Sequence, residues 1–349
     1  MIQIENRLIE ESSPPLIIAE MSGNHNQSLD NAMAIVEAAA KSGADALKLQ
    51  TYTADTLTLD LKEGEFFIQD KNSLWAGESL YSLYQKAYTP WDWHEPLMKR
   101  ARELGLICFS SPFDDTAVDF LESLKVPAYK IASFEIVDLA LIHKAASTGK
   151  PMIISTGMAN EDEIKDAVET ARKAGNNQIV LMKCTSSYPA EPKNSHLRAI
   201  PYLKERFGVQ VGLSDHTPGI VVPVASVALG ATVIEKHFTL DRQAGGVDAA
   251  FSLEPDEFKA MAEAAKTAHL ALGKPVLEQT QSEVSSIQFR RSLYIAEDMQ
   301  AGEVLTSKNL RSVRPGLGMK PKHLPELLGK SVNRAVKKGT RMHWDLVNA

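Results

Sequence analysis

Short apolar runs alternate with amphipathic segments from residue 16 to about residue 272. The runs are 16–20, 46–50, 106–110, 128–132, 152–155, 179–184, 209–214 and 232–237. They are continuously apolar rather than alternating, as expected of parallel strands buried on both faces. In the segment 29–39, apolar residues recur three and four apart and Gly43 supplies a stop, which predicts a helix. Similar spacing predicts helices over 92–105, 116–124, 138–147, 161–174, 195–207, 218–230 and 255–272. Eight strand–helix units in this length predict an α/β fold of the (β/α)8 TIM-barrel type. A doubly wound open sheet is the alternative, but no glycine-rich dinucleotide fingerprint follows the first run.

Two stretches break the alternation. Residues 51–91 form a long second connection containing Trp75, Tyr81, Tyr84, Tyr88 and Trp91. Loops of that length are functional or pack a partner, so a lid, an oligomer contact and plain packing are all open. After Gly273-Lys274-Pro275 the pattern changes to short strands and turns rich in Gly, Lys and Arg. The expected organisation is a barrel domain over 1–277, a polar linker over 278–288 and a small β-rich domain over 289–349. The last is near the lower size limit for independent stability, so packing against the barrel or a second subunit is expected.

Composition narrows the class. The chain has 349 residues, is 44% hydrophobic and carries a formal net charge of −6, which argues against general binding to nucleic acid or anionic membranes. A small basic pocket remains compatible with that balance. The start, Met1-Ile2-Gln3-Ile4-Glu5-Asn6-Arg7, lacks a basic segment followed by an apolar run. No apolar stretch approaches the roughly 18–20 residues that span a bilayer. Cys108 and Cys184 both lie in apolar runs and read as buried reduced thiols. A soluble cytoplasmic protein is expected.

The ends of the apolar runs carry the chemistry. They close on Glu20, Lys48 with Gln50, Ser110 and Ser111, Lys130 with Ser133, Ser155, Lys183 with Thr185, Ser214-Asp215-His216 and Glu235-Lys236-His237. Barrel enzymes build their sites at this rim, and gathering so many polar groups is costly unless they meet a ligand or one another. His216 and His237 end neighbouring strands and could share one divalent ion, with Asp215 and Glu235 to orient them or join the shell. Lys48, Lys130 and Lys183, with Ser111, Ser133, Ser155 and Ser214, suit a phosphate and a carboxylate together. The anion site is the favoured reading, and a lysine nucleophile for Schiff-base chemistry stays open from these residues alone. Glu20 is placed to act as an acid/base or to pair with Lys48, and Gly23 would permit a sharp turn after it.

These residues resemble a known family. Ile17-Ile18-Ala19-Glu20 with Gly23-Asn24-His25-Asn26, and Gly43-Ala44-Asp45-Ala46-Leu47-Lys48-Leu49-Gln50, are similar to the opening of sialic acid synthases. Tyr129-Lys130-Ile131-Ala132-Ser133, Ser155-Thr156-Gly157-Met158, Gly212-Leu213-Ser214-Asp215-His216 and Val233-Ile234-Glu235-Lys236-His237-Phe238 continue the match in order. Arg291-Ser292-Leu293-Tyr294 and Val313-Arg314-Pro315-Gly316 resemble the family's C-terminal antifreeze-like (SAF) domain. Ser73-Leu74-Trp75, Leu80-Tyr81-Ser82-Leu83-Tyr84, the segment 88–94, Cys108-Phe109-Ser110-Ser111-Pro112-Phe113 and Lys130-Ile131-Ala132-Ser133-Phe134-Glu135 look most like the branch that makes pseudaminic rather than neuraminic or legionaminic acid.

The resemblance implies a transferase that joins phosphoenolpyruvate to an N-acetylated amino-sugar aldehyde, with a divalent metal (Mn2+, Mg2+ or Co2+) and no organic cofactor. It implies His216 and His237 as metal ligands, and Lys48, Lys130, Ser133, Ser155, Ser214 and Ser111 as the phosphoenolpyruvate set. Glu20 becomes the acid/base, and Gln50, Tyr188 and Asp248 line the sugar side or order water. It further implies a domain-swapped homodimer in which Arg314 of the small domain meets the sugar in trans. A Schiff-base aldolase and a non-catalytic carbohydrate- or ice-binding protein are the more distant alternatives.

Overall fold

The computed structural model describes residues 2–71 and 73–348, and the chain divides after Gly273 into two compact units. The first opens on a hairpin, β1 (Ile2–Ile4) and β2 (Arg7–Ile9). Then follow β3 (Leu16–Glu20), α1 (Leu29–Lys41), β4 (Ala46–Thr51), α2 (Ala54–Leu57), α3 (Leu80–Ala87) and α4 (Trp91–Glu103). The alternation continues through β5 (Ile107–Pro112), α5 (Asp115–Ser123), β6 (Tyr129–Ile131), α6 (Leu139–Ser147), β7 (Met152–Ser155) and α7 (Glu161–Lys173). It ends with β8 (Ile179–Cys184), α8 (Ala199–Phe207), β9 (Gln210–Asp215), α9 (Val221–Val227), β10 (Val233–His237) and α10 (Pro255–Leu272). Strands β3 to β10 close into a parallel barrel, with β10 pairing β3. The expected (β/α)8 fold is what the chain forms.

Sequence chemistry sets the element ends. Ser28 accepts from the Asn31 amide to cap α1, and Asp114 and Asn160 do the same for α5 and α7. Gly43 stops the first helix with φ +81°, where a side chain would be strained. Gly23, expected to permit a turn, serves differently. The positive φ belongs to Ser22 at 46°, and a Cβ on Gly23 would lie 2.5 Å from Val247 Cγ2 and 2.9 Å from the Ala87 carbonyl. The residue is required by close approach of other segments.

The barrel has two cores on either side of its wall. Ile17, Ala19, Leu47, Leu49, Ile131, Ile154, Leu181, Val211, Leu213 and Ile234 face outward and pack with the helices. Leu16, Ile18, Ala46, Ile107, Phe109, Ile153, Val180, Met182 and Val233 face inward. The sequence-invisible hairpin completes the inner core, because Ile2, Ile4 and Ile9 join this cluster at the strands' N-terminal ends. Such a plugged floor leaves only the C-terminal mouth for chemistry.

The second unit, Lys274–Ala349, pairs β11 (Ser292–Ile295) antiparallel with β12 (Leu310–Val313). Leu293, Ile295, Met299, Leu305, Leu310, Leu327, Val332, Val336, Met342 and Leu346 form its own core. Residues 281–289, which run from the stretch expected as a linker into the first residue of the expected small domain, form an exposed 3-10 helix. Among the described residues no helix is long and apolar enough to cross a membrane.

Candidate active site

Strand alternation decides which rim residues converge, since neighbours along a strand point to opposite faces. Counting from the inward apolar positions, Glu20, Lys48, Gln50, Ser111, Lys130, Ser155, Ser214, His216, Glu235 and His237 all fall on the inner face. Two expectations fail the same count. Lys183 shares the outward face of Ile179 and Leu181, and its Nζ donates to the Cys184 carbonyl at 2.6 Å rather than joining the other lysines. Asp215 also faces outward, in a buried pair with Lys236 at 2.5 Å, and does not orient the imidazoles.

Glu235 is the hub of the inner cluster. Its Oε1 accepts from Lys48 Nζ at 3.0 Å and Ser214 Oγ at 3.0 Å, with Lys130 Nζ at 3.6 Å. Burial alone would raise this carboxyl, but the Lys130 and Lys48 ammonium groups overcome it and hold it down at about 2. Glu20 lies 3.2 Å from Lys48 and accepts from Gln50 Nε2 at 2.9 Å, so the anticipated Glu20–Lys48 pair forms. Its burial outweighs the Lys48 charge and pushes its carboxyl up to about 7. Burial likewise lowers Lys130 to about 8.

Several buried polar atoms here have no protein partner. Ser111 and Ser155 are each 1% exposed, and neither hydroxyl has a hydrogen-bond partner among the described residues. Ser133 Oγ accepts from the Gly157 amide at 3.1 Å. Orphaned hydroxyls on the same inner face as two ammonium groups suit an anionic ligand.

The imidazoles of His216 and His237 stand 5.2 Å apart between centroids. His216 Nδ1 lies 3.0 Å from the Thr185 carbonyl, which only a ring N–H can satisfy, so Nε2 is the nitrogen left to ligate. Burial and the charge of His216 keep His237 well below the ordinary range, hence neutral, and its Nδ1 is buried without a hydrogen bond among the described residues. The nearest carboxylate, Asp248 Oδ2, is 3.6 Å away and is itself hydrogen-bonded by Ser22. Among the described residues no group of three or more His, Cys, Asp or Glu side chains is disposed to hold a metal. Burial would lower His216, but its contact with the Cys184 thiol and the Thr185 carbonyl outweighs that and raises the ring above its ordinary value, so it gives up a proton on ligation. The two imidazoles then fit a divalent ion whose remaining positions are filled by water or substrate oxygens.

Tyr188 packs over His216 at 4.6 Å and against Phe251 at 5.2 Å, giving the mouth an aromatic wall. Arg314 is an exposed residue of the second unit, directly before a cis proline. Sequence reasoning passed over two members of the site. Cys184 reads only as a buried thiol, yet it shares the inward face with Met182 and lies 4.0 Å from His216 Nδ1. Burial raises this thiol, and contact with His216 outweighs that to leave it at about 7. Glu135, in the 3-10 turn after β6, is pushed up to about 7 by burial, and its Oε2 is unpartnered among the described residues. Inward parity would have flagged the cysteine; Glu135 closes a stretch that resembles the family, but nothing in its spacing gives it a role.

A closed barrel that spends its C-terminal rim on buried acids, lysines and imidazoles is an enzyme scaffold rather than an inert binding domain. The chain belongs to the NeuB family, whose profile it matches over residues 35–276, and it carries a SAF domain over residues 290–348. It is 46% identical to the pseudaminic acid synthase of Helicobacter pylori, over 95% of this chain and 97% of that protein. It is also 46% identical to the pseudaminic acid synthase of Campylobacter jejuni, over 93% of this chain and 94% of that protein. The crystal structure of N-acetylneuraminic acid synthetase from Leptospira borgpetersenii in complex with citrate superposes with a TM-score of 0.74 at 32% identity. That match covers 83% of this chain and 95% of the other.

Proposed function

We propose that the chain is a pseudaminic acid synthase, condensing phosphoenolpyruvate with 2,4-diacetamido-2,4,6-trideoxy-L-altrose and releasing phosphate. The observation that carries the chemistry is the pair of ammonium groups on Glu235 beside the unpartnered Ser111 and Ser155 hydroxyls. The choice of sugar is supported by the higher identity to pseudaminic acid synthases, 46% against 32% for the neuraminic acid enzyme.

In this reading Lys48, Lys130, Ser111, Ser133, Ser155 and Ser214 hold the phosphate and carboxylate of phosphoenolpyruvate. C3 of phosphoenolpyruvate forms the new bond to the aldehyde carbon, whose oxygen takes a proton. Water adds at C2, and the C2–O bond then breaks to free phosphate and leave a 2-keto acid. A divalent ion held by His216 and His237 would polarise the aldehyde oxygen as its negative charge develops. Glu20 moves the proton, because a carboxyl at about 7 gives and accepts with equal ease near neutral pH. Gln50, Tyr188 and Asp248 line the sugar side. A homodimer, a sugar contact from Arg314 and a cytoplasmic setting belong to the same proposal and rest on family resemblance.

The test is phosphate release from phosphoenolpyruvate against a panel of sugars that includes the trideoxy altrose and N-acetylmannosamine. Turnover with the first and little with the second is expected; the reverse preference would overturn the assignment. Borohydride should trap no pyruvate adduct, since Lys130 is committed to an anion rather than an imine.

A further inference from the structure

The long connection between β4 and α4 carries Trp75 back to the barrel mouth. Its indole Nε1 donates to the Val247 carbonyl at 2.9 Å, one residue before Asp248. Its ring lies 6.0 Å from that of Tyr188, which in turn covers His216 at 4.6 Å. Phe251 continues the surface, 5.2 Å from Tyr188 and 4.9 Å from His237. Trp75 is half-buried, and the segment it grips is fixed by contact of Val247 with Gly23. Three aromatic faces thus run outward from the two imidazoles, with Trp75 farthest from the reacting end.

We infer that Trp75 is a specificity-determining residue that receives the deoxygenated, methyl-bearing end of the sugar. The inference rests on the functional proposal above, because it places the aldehyde carbon beside His216 and His237. An open-chain sugar with C1 there extends along Tyr188, so its far end meets the indole. An aromatic face gains by covering a methyl group, whereas a hydroxyl pressed on it loses water without gaining a partner. The indole N–H cannot rescue such a hydroxyl, since it is already donated to Val247. The wall therefore selects a 6-deoxy sugar over one that ends in a hydroxymethyl group. Selection by apolar contact of this kind is limited to roughly 10- to 100-fold.

Steady-state kinetics of Trp75→Ala and Trp75→Phe with the trideoxy sugar and with N-acetylmannosamine test this. Trp75→Ala should raise KM for the trideoxy sugar roughly 10- to 100-fold with a smaller change in kcat, while KM for N-acetylmannosamine moves much less. Trp75→Phe keeps an aromatic face and should retain most of the preference. An unchanged KM for phosphoenolpyruvate shows that the barrel remains assembled. Equal losses for both sugars, or full retention of the preference in Trp75→Ala, would overturn the inference. A wild-type enzyme that uses only N-acetylmannosamine would instead overturn the functional proposal, whatever the variants do.

Discussion

Lys48 Nζ donates to Glu235 Oε1 at 3.0 Å, joining the two strands that flank β3 in the barrel. Both side chains are almost fully buried, and Lys130 reaches the same oxygen at 3.6 Å. One carboxylate is therefore shared by two ammonium groups that water cannot solvate, with Glu20 at 3.2 Å the second partner of Lys48. Deleting it leaves uncompensated charge in the interior, which costs about 3–5 kcal/mol. Glu235→Ala should lower the denaturant midpoint accordingly, and Glu235→Gln should do so less. Phosphoenolpyruvate brings back negative charge, so it should raise the midpoint of Glu235→Ala by more than that of the wild type. Equal ligand shifts in both proteins would argue that the substrate does not meet these lysines.

Gly157 offers a test of the serine side of the same pocket. A Cβ there would lie 2.2 Å from Ser186 Oγ and 2.7 Å from Ser133 Oγ. Real contacts are never so short, so Gly157→Ala must push Ser133 aside and disturb the amide it accepts from. Phosphoenolpyruvate KM should rise about 10-fold or more, the order of one lost hydrogen bond to a charged group. Circular dichroism should stay unchanged, because the position sits outside any helix or strand. A KM within twofold of wild type would remove Ser133 from the substrate set.

How much of this could be read in the sequence depended on what each residue's position had to satisfy. The eight barrel strands were legible because both faces are buried, leaving runs such as Met152–Ser155 and Ile179–Cys184 with the expected bounds. The hairpin at residues 2–9 was not, since its strands of three residues are too short to show a period. The site was legible where polar residues end strands, as at Glu20, Lys48 and His237. It was misread at Lys183 and Asp215, where one step along the strand turns the side chain out of the barrel. Trp75 was visible as an aromatic in a long loop, but its tie to Val247 spans residues no local pattern connects.

Two buried histidines outside the Glu235 cluster make the fold sensitive to acid. His94 Nε2 lies 2.8 Å from Thr51 Oγ1, and His25 Nε2 lies 3.2 Å from Thr89 Oγ1. Burial lowers both to about 4, with His94 adding to the effect on His25. The unfolded chain binds these protons near pH 6.5 and the folded protein only near pH 4, so the stability these two groups contribute falls as pH drops through that window and is constant above it. Each group accounts for up to roughly 3 kcal/mol. Unfolding free energy measured from pH 8 to pH 4 should fall less steeply in His94→Gln than in the wild type. Parallel curves would show that His94 is not a source of the slope.

The imidazole pair gives the most direct test of the proposed metal. His216 is held by the Thr185 carbonyl through Nδ1, whereas His237 Nδ1 is buried with no hydrogen bond among the described residues. His237 thus contributes little to the network that holds the strands, and its loss should leave the fold intact. Replacing it removes one of the two proposed ligands, which should weaken divalent-ion binding by at least 10- to 100-fold. His237→Ala should therefore lose divalent-dependent phosphate release while keeping the wild-type unfolding midpoint without metal. Calorimetric titration with Mn2+ separates the two explanations for an inactive variant. Lost binding with an intact fold supports ligation, whereas undiminished binding or full activity would refute it.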